Sequence, residues 1–310
     1  MIRRPSDMYP PDMFDELRRL ARMPVPPVII DLNVNEESCF KCRRNVESPY
    51  FVACKSGQDY AGLLATVAWL RAGPKIVDVT EEQYQAMARV EVRLEVKDFA
   101  MPFPSLLVNM PSGKMHEYVL LHQCKIGNTP VLIGQSISYD HTHDIVGMVC
   151  HEDGKHLETT LGKYYGDVVA EEGEATTLSM RVACNIALAM TNYGFQSSYL
   201  FPKEVEQEKK FVLKGNRAGR DGRTASMRLQ EQPQLLTLDR TVKLYHREGS
   251  REQGISTGRQ MPFHWRRGHW HKVRCGVGRT ETRLVLYPPT MIRADLAVGL
   301  PLDETTTTYR

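Results

Sequence analysis

Cysteine is sparse and irregularly spaced in this 310-residue chain. Seven occur, at positions 39, 42, 54, 124, 150, 184 and 275, an odd number with no regular interval. That excludes a disulfide framework and makes a reducing compartment the expectation. Long apolar runs are missing as well: the longest, residues 61–70, is interrupted by Gly62 and Thr66 and falls short of the ~18 residues that a membrane-crossing helix needs. The charged opening Met1-Ile2-Arg3-Arg4-Pro5 is not followed by an apolar segment, so it does not read as a secretory signal. The glycine-rich phosphate loops of nucleotide-binding folds are absent, and so is the G-x-S-x-G elbow of serine esterases. These absences exclude membrane-spanning, disulfide-stapled and dinucleotide-binding classes and point to a cytoplasmic globular protein with no cofactor.

What is present is a charge asymmetry. Residues 1–200 carry 19 Lys+Arg against 25 Asp+Glu, and residues 201–310 carry 21 against 12. The net of +3 for the whole chain therefore hides an acidic two-thirds joined to a strongly basic third. Such a basic region either meets a polyanion or packs against the acidic part.

Periodicity outlines an α+β chain: a mainly antiparallel sheet with packed helices and a C-terminal β-hairpin. Helices are expected at 12–22, 60–71 (stopped by Gly73-Pro74), 81–88 and 178–193, the last with a stripe of Val182, Ile186, Ala189 and Met190 and a cap at Gly194. Short strands are expected at 28–30 and 50–53. Alternation at 90–97 predicts a half-buried strand, while 118–123 and 131–137 flank Gly127-Asn128 as a hairpin, with a further strand at 145–150. Residues 209–228 carry seven basic side chains and interspersed glycines, the pattern of a mobile loop, and 235–246 returns to strand. Three regions follow: an acidic α+β domain at 1–200, a basic flexible linker or loop at 201–234, and a basic β-rich region at 235–310.

The most informative chemistry lies between Arg259 and Arg293. Two of the three tryptophans and three of the ten histidines fall within His264–His271. Residues 269–275 and 281–287 pair as strands around the turn Gly276-Val277-Gly278, and Gly268 marks a bend before them. Alternation puts His269, His271 and Val273 on one face and Trp270, Lys272 and Arg274 on the other. Cations neutralise phosphates and rings stack on unpaired bases, so Trp265, Arg267, Trp270, His271, Lys272, Arg274 and Arg279 are the candidate nucleic-acid-binding residues. The bland alternative is that the tryptophans are core and the arginines solvated around them. Two imidazoles can also act as general base and acid on a phosphodiester, with arginine stabilising the developing charge. His264 and His269, with Arg266 and Tyr287 in support, are the candidate catalytic set of a metal-independent ribonuclease.

Metal binding is the weaker reading elsewhere. Cys39-Phe-Lys-Cys42 with Cys54 lacks the second close pair of a zinc site. His141-Thr-His143-Asp144 falls between two strands, where polar loop residues are expected in any case, so no metal is assigned. Cys124, Cys150 and Cys184 sit in apolar runs and read as small buried hydrophobes.

The string His264-Trp-Arg-Arg-Gly-His-Trp-His271, followed by a glycine turn and an apolar strand ending in proline, resembles the C-terminal signature of an uncharacterised family borne by bacteriophages, plasmids and integrated elements. That family's string is H-x-R-R-G-H-x-R; here His271 stands in place of the final arginine, and Leu284-Val285-Leu286-Tyr287 stands where tryptophan is usual. The resemblance implies a mobile-element origin and action inside a bacterial host cell. Three functions are carried forward: RNA or single-stranded nucleic-acid binding through the hairpin, ribonuclease activity, and interaction with a host protein.

Overall fold

The computed structural model describes residues 11–22, 65–112, 118–126, 129–137, 146–150, 156–159, 170–215, 228–229, 231–238, 246–248 and 264–292. Its helices are α1 (Pro11–Ala21), α2 (65–71), α3 (Glu81–Ala88), α4 (Ala170–Tyr193) and α5 (Pro202–Gly215). Its strands are β1 (Lys75–Asp78), β2 (Val90–Glu91), β3 (Ser105–Asn109), β4 (Tyr118–Ile126), β5 (Thr129–Ile137), β6 (Val146–Cys150), β7 (Phe195–Tyr199) and β8 (Gln234–Leu238). The series continues with β9 (His246–Glu248), β10 (His264–Arg266), β11 (Gly268–Cys275), β12 (Glu281–Tyr287) and β13 (Thr290–Ile292). The expected strands at 28–30 and 50–53, the Cys39/Cys42/Cys54 group and the His141/His143/Asp144 group lie outside the described residues.

The architecture is α+β. Seven strands form one sheet in the order β6-β5-β4-β3-β1-β8-β7. β3 to β6 are antiparallel neighbours, as their short connections require. At the centre, β1 runs parallel to both β3 and β8, and β7 closes the far side antiparallel to β8. Since β8 pairs with β1 and β7 lies on the other side of residue 200, the boundary expected there runs through a single sheet. The basic linker is corrected in its first half: Pro202–Gly215 is helical, with Val205 buried. The apolar positions Val205 and Phe201 anchor a segment whose basic side chains alone suggested a loop.

The helix α4 positions everything that follows. It begins eight residues earlier than its apolar stripe indicates, and from Val182 to Met190 every side chain is buried. A helix apolar on all sides must be covered on all sides. One side packs on the large sheet, through the cluster that holds Val77, Val108, Leu121, Leu132 and Leu236. The same cluster continues over the helix to Val90, Trp270 and Leu286 of a second sheet, β12-β11-β2. Burial pushes the Cys184 thiol in this helix up to about 12, an inert packing group as its apolar neighbours suggest.

Residues 90–97 depart from expectation in an instructive way. Val90, Val92, Leu94 and Val96 are buried and Arg93 and Lys97 exposed, so the alternation is real. Only Val90–Glu91 pairs as a strand, however, and Val96–Asp98 turns into a 3-10 helix. The backbone N–H groups of Leu157 and Glu158 bond instead to Leu94 O and Val92 O, which satisfies the extended segment without a strand partner. Of the stretch 235–246, the described residues fall in two sheets: β8 (Gln234–Leu238) lies in the large one, and His246 opens β9 in a third, β10-β13-β9.

Candidate nucleic-acid interface

The hairpin forms in the register that alternation and turn chemistry predict: His269 faces Tyr287, His271 faces Val285, and Cys275 faces Glu281. Gly276 (φ 79°) and Gly278 (φ 72°) make the turn, with Arg279 at φ 55° following them. Gly268 is required by a close approach, because a Cβ there would stand 2.7 Å from Pro289 N and 2.8 Å from Tyr287 O. At this residue the chain leaves the sheet of β10 and enters that of β11, whose Gly268 and His269 pair in parallel with Val90 and Glu91.

The inner face of the hairpin is a core surface. Trp270 and Leu286 are buried. Trp270 Nε1 donates to Asn185 Oδ1 at 2.8 Å, and Tyr193 Oη accepts from Leu286 N at 2.8 Å. Asn185 also donates through Nδ2 to Met87 O and Val90 O, at 3.0 and 2.8 Å. Trp265 is buried too, with the Arg89 guanidinium 4.8 Å from its ring centre. Both indoles therefore leave the nucleic-acid-binding set: a ring with 3% of its surface exposed offers no face to a base. Two cations of that set are already neutralised, Arg267 by Glu91 and Lys272 by Asp98 at 2.7 Å.

The outer face is where rings and free cations meet. His269, His271 and Tyr287 are exposed and touch one another: the His269 and Tyr287 rings stack at 5.4 Å and 6°, and His271 stands edge-on to Tyr287 at 5.6 Å. His269 and His271 are 6.4 Å apart, ring centre to ring centre. The imidazole set beside His269 is thus that of His271. His264 lies on β10, opposite Ile292, in a different sheet.

The imidazole of His269 is held below its ordinary value of 6.5, first by loss of water and then by the positive charges of Arg93, His271 and Arg266, with Glu91 opposing them. The residue as a whole is exposed, so the lost water is that on the ring face covered by Tyr287. Glu91 beneath is bridged by Arg93 and Arg267. Burial pushes its carboxyl up, but the hydrogen bonds from the two guanidiniums outweigh that and hold it below the usual range.

Arg93 is the residue that sequence reasoning missed. It comes to the hairpin through the parallel pairing of β2 with β11, a contact across more than 170 positions of chain; its only signal was its place on the wet side of the 90–97 alternation. Arg283 belongs here as well, opposite Val273 on the outer face. Among the described residues, Arg266, Arg274, Arg279 and Arg283 have no carboxylate within ion-pair distance. No three His, Cys, Asp or Glu side chains gather as metal ligands among the described residues, and no helix there is long and apolar enough to cross a membrane.

The sequence from 79 to 294 matches the family model described as AcrVA2-like, the anti-CRISPR type V subtype A2 family. The match covers every strand of the large sheet except β1, together with α4 and the whole hairpin. Among solved structures, one described as the crystal structure of AcrVA2 aligns over 91% of this chain and 93% of its own, with 13% identity and a TM-score of 0.42. No curated protein matches the chain in sequence.

Proposed function

As this chain belongs to the anti-CRISPR type V subtype A2 family, carried by phages and other mobile elements, we propose that it disables a type V CRISPR system by binding the effector complex, with the outer face of its hairpin on the RNA. One observation carries this reading: a platform of three mutually touching exposed rings, His269, His271 and Tyr287, with the unpaired guanidinium of Arg266 close enough to act on His269. Rings that stack on bases and guanidiniums that neutralise phosphates are the two parts of a sequence-tolerant single-strand interface.

The test is filter binding of a stem-loop RNA over a salt series, followed by inhibition of a guide-loaded type V effector. The wild-type protein should bind with strong salt dependence. The His269→Ala/His271→Ala/Tyr287→Ala protein should bind roughly 10- to 100-fold more weakly, since each base stacked on a ring contributes about 1–3 kcal/mol. A wild-type protein that retains no RNA at low salt overturns the reading. The same pair of imidazoles favours one alternative, metal-independent RNA cleavage. Cleavage that persists in chelator and disappears on His271→Ala would establish it.

A pH dependence follows from His269. Its depressed value leaves the free imidazole neutral at pH 7, and an adjacent phosphate favours the protonated ring, so binding takes up a proton. Affinity for RNA should therefore rise as pH falls through 6.5 and below, and His269→Gln should flatten the profile. The free protein behaves oppositely. The unfolded chain takes up that proton more readily than the folded one, so stability declines over the same window as pH falls. An affinity independent of pH between 8 and 5.5 would remove His269 from the interface.

A further inference from the structure

The hairpin is two structures end to end. Its base is fixed to the body by Trp270, by Leu286 and by the Lys272–Asp98 ion pair. Beyond Lys272 and Leu284 no described residue of the body bonds to it, and Arg274, Thr282, Arg283 and the turn are exposed. At about 3.4 Å per residue, the four residues from Lys272 to Gly276 carry the strands roughly 14 Å past their last anchor.

Two features of this outer half call for explanation. Cations stand on both of its faces: Arg274 on the inner face, Arg283 on the outer, and Arg279 at the turn, with Glu281 the one acid between Lys272 and Arg283. A ribbon that only lay on a polyanion would need cations on one face. The second feature is Val277, whose surface is 98% exposed at the tip. The turn that displays it is shaped by three positive-φ positions on either side of it, Gly276 before it and Gly278 and Arg279 after it. At Arg279 this conformation is unfavourable for a residue with a Cβ, and the cation is nevertheless kept beside the tip.

We propose that the outer half of the hairpin is an insertion arm that enters a groove of structured RNA and wedges Val277 between bases at a bulged or loop-closing step. The inference rests on the RNA reading above and adds the form of RNA and the mode of engagement. Phosphates line both walls of a groove, which accounts for cations on both faces of the ribbon. The floor is formed by bases, where an apolar side chain can part a weak stack, as apolar wedges do in bent duplexes. The deep, narrow groove of an uninterrupted A-form helix does not admit side chains, so the arm requires a stem opened by a bulge or a terminal loop.

The test uses the full chain and a stem-loop RNA with a single-nucleotide bulge flanked by 2-aminopurine, whose emission rises when it is unstacked. Wild-type protein should raise the emission severalfold on binding, and a perfectly paired RNA duplex should bind more weakly. Val277→Ser, which changes only an exposed position, should abolish the rise and weaken binding by up to about tenfold. It should leave the salt dependence of binding unchanged, because no charge is removed. Val277→Leu should retain the rise. RNA binding by wild type without a change in emission, or a Val277→Ser protein indistinguishable from wild type, overturns the arm while leaving the RNA reading intact. Absence of RNA binding altogether overturns both. A Val277→Ser protein that binds and unstacks RNA as wild type does, yet no longer inhibits the effector, would also overturn the wedge and assign the tip to a protein slot.

Discussion

Replacing Asn185 by leucine should cost about 3–5 kcal/mol of folding stability, the largest single-site effect expected in the described structure. The side chain is fully buried in α4 and makes three hydrogen bonds, to Met87 O, to Val90 O and from Trp270 Nε1. Leucine fills a similar volume but leaves the Val90 carbonyl and the indole N–H without their side-chain partner, each at about 1–3 kcal/mol before relaxation, while the Met87 carbonyl keeps its backbone bond at the end of α3. The three partners belong to the end of α3, to β2 and to the hairpin, so one amide ties together the elements that support the outer face. Urea denaturation measures the loss. Trp270→Phe, which removes only the indole donor, should cost about 1–3 kcal/mol in the wild-type background and markedly less in the Asn185→Leu background, since the two share a bond. A loss below about 1 kcal/mol for Asn185→Leu, or strict additivity of the pair, would show that the network does not seat the hairpin.

The second large effect is on binding rather than stability. Exchanging Arg274, Arg279 and Arg283 together for alanine removes three exposed guanidiniums with no ion-pair partner among the described residues. Surface changes of this kind leave stability within about 0.5 kcal/mol per site. If RNA runs along the hairpin, the slope of log affinity against log salt should fall by about 2, at roughly 0.7 for each phosphate contact to a single strand, and affinity near 0.1 M salt should drop about a hundredfold. The contrasting pair is Arg267 and Lys272, whose charges are already met by Glu91 and Asp98. Alanine at those positions should change the slope little. Equal slopes for the triple variant and wild type would place the RNA elsewhere on the molecule.

These two predictions draw on different kinds of information, and the division is physical. The hairpin was legible because its determinants are local: alternation of side chains along a strand, glycines that permit positive φ, and prolines that stop the ladder. The same holds for α3, whose capping box of Thr80 and Gln83 lies within one turn, and for the β4–β5 pair. Charge composition, too, is additive along the chain, so the basic C-terminal third could be counted without a fold.

What periodicity leaves undecided is which face of an element is covered, and by what. The tryptophans at 265 and 270 carry the same rings whether they meet a base or a core; only the arrival of α4 and of Arg89 beside them settled it. The apolar stripe on α4 announced one buried side, while its second buried side and the purpose of Asn185 depended on a hairpin almost a hundred residues away. Arg93 reached the site, and Arg267 was neutralised, by the pairing of β2 with β11. Sequence by itself determined the local elements and the charge they carry, because backbone sterics and side-chain alternation act over a few residues. Tertiary structure decided which of those charges and rings remain free, because that depends on contacts between segments whose separation along the chain no local pattern encodes.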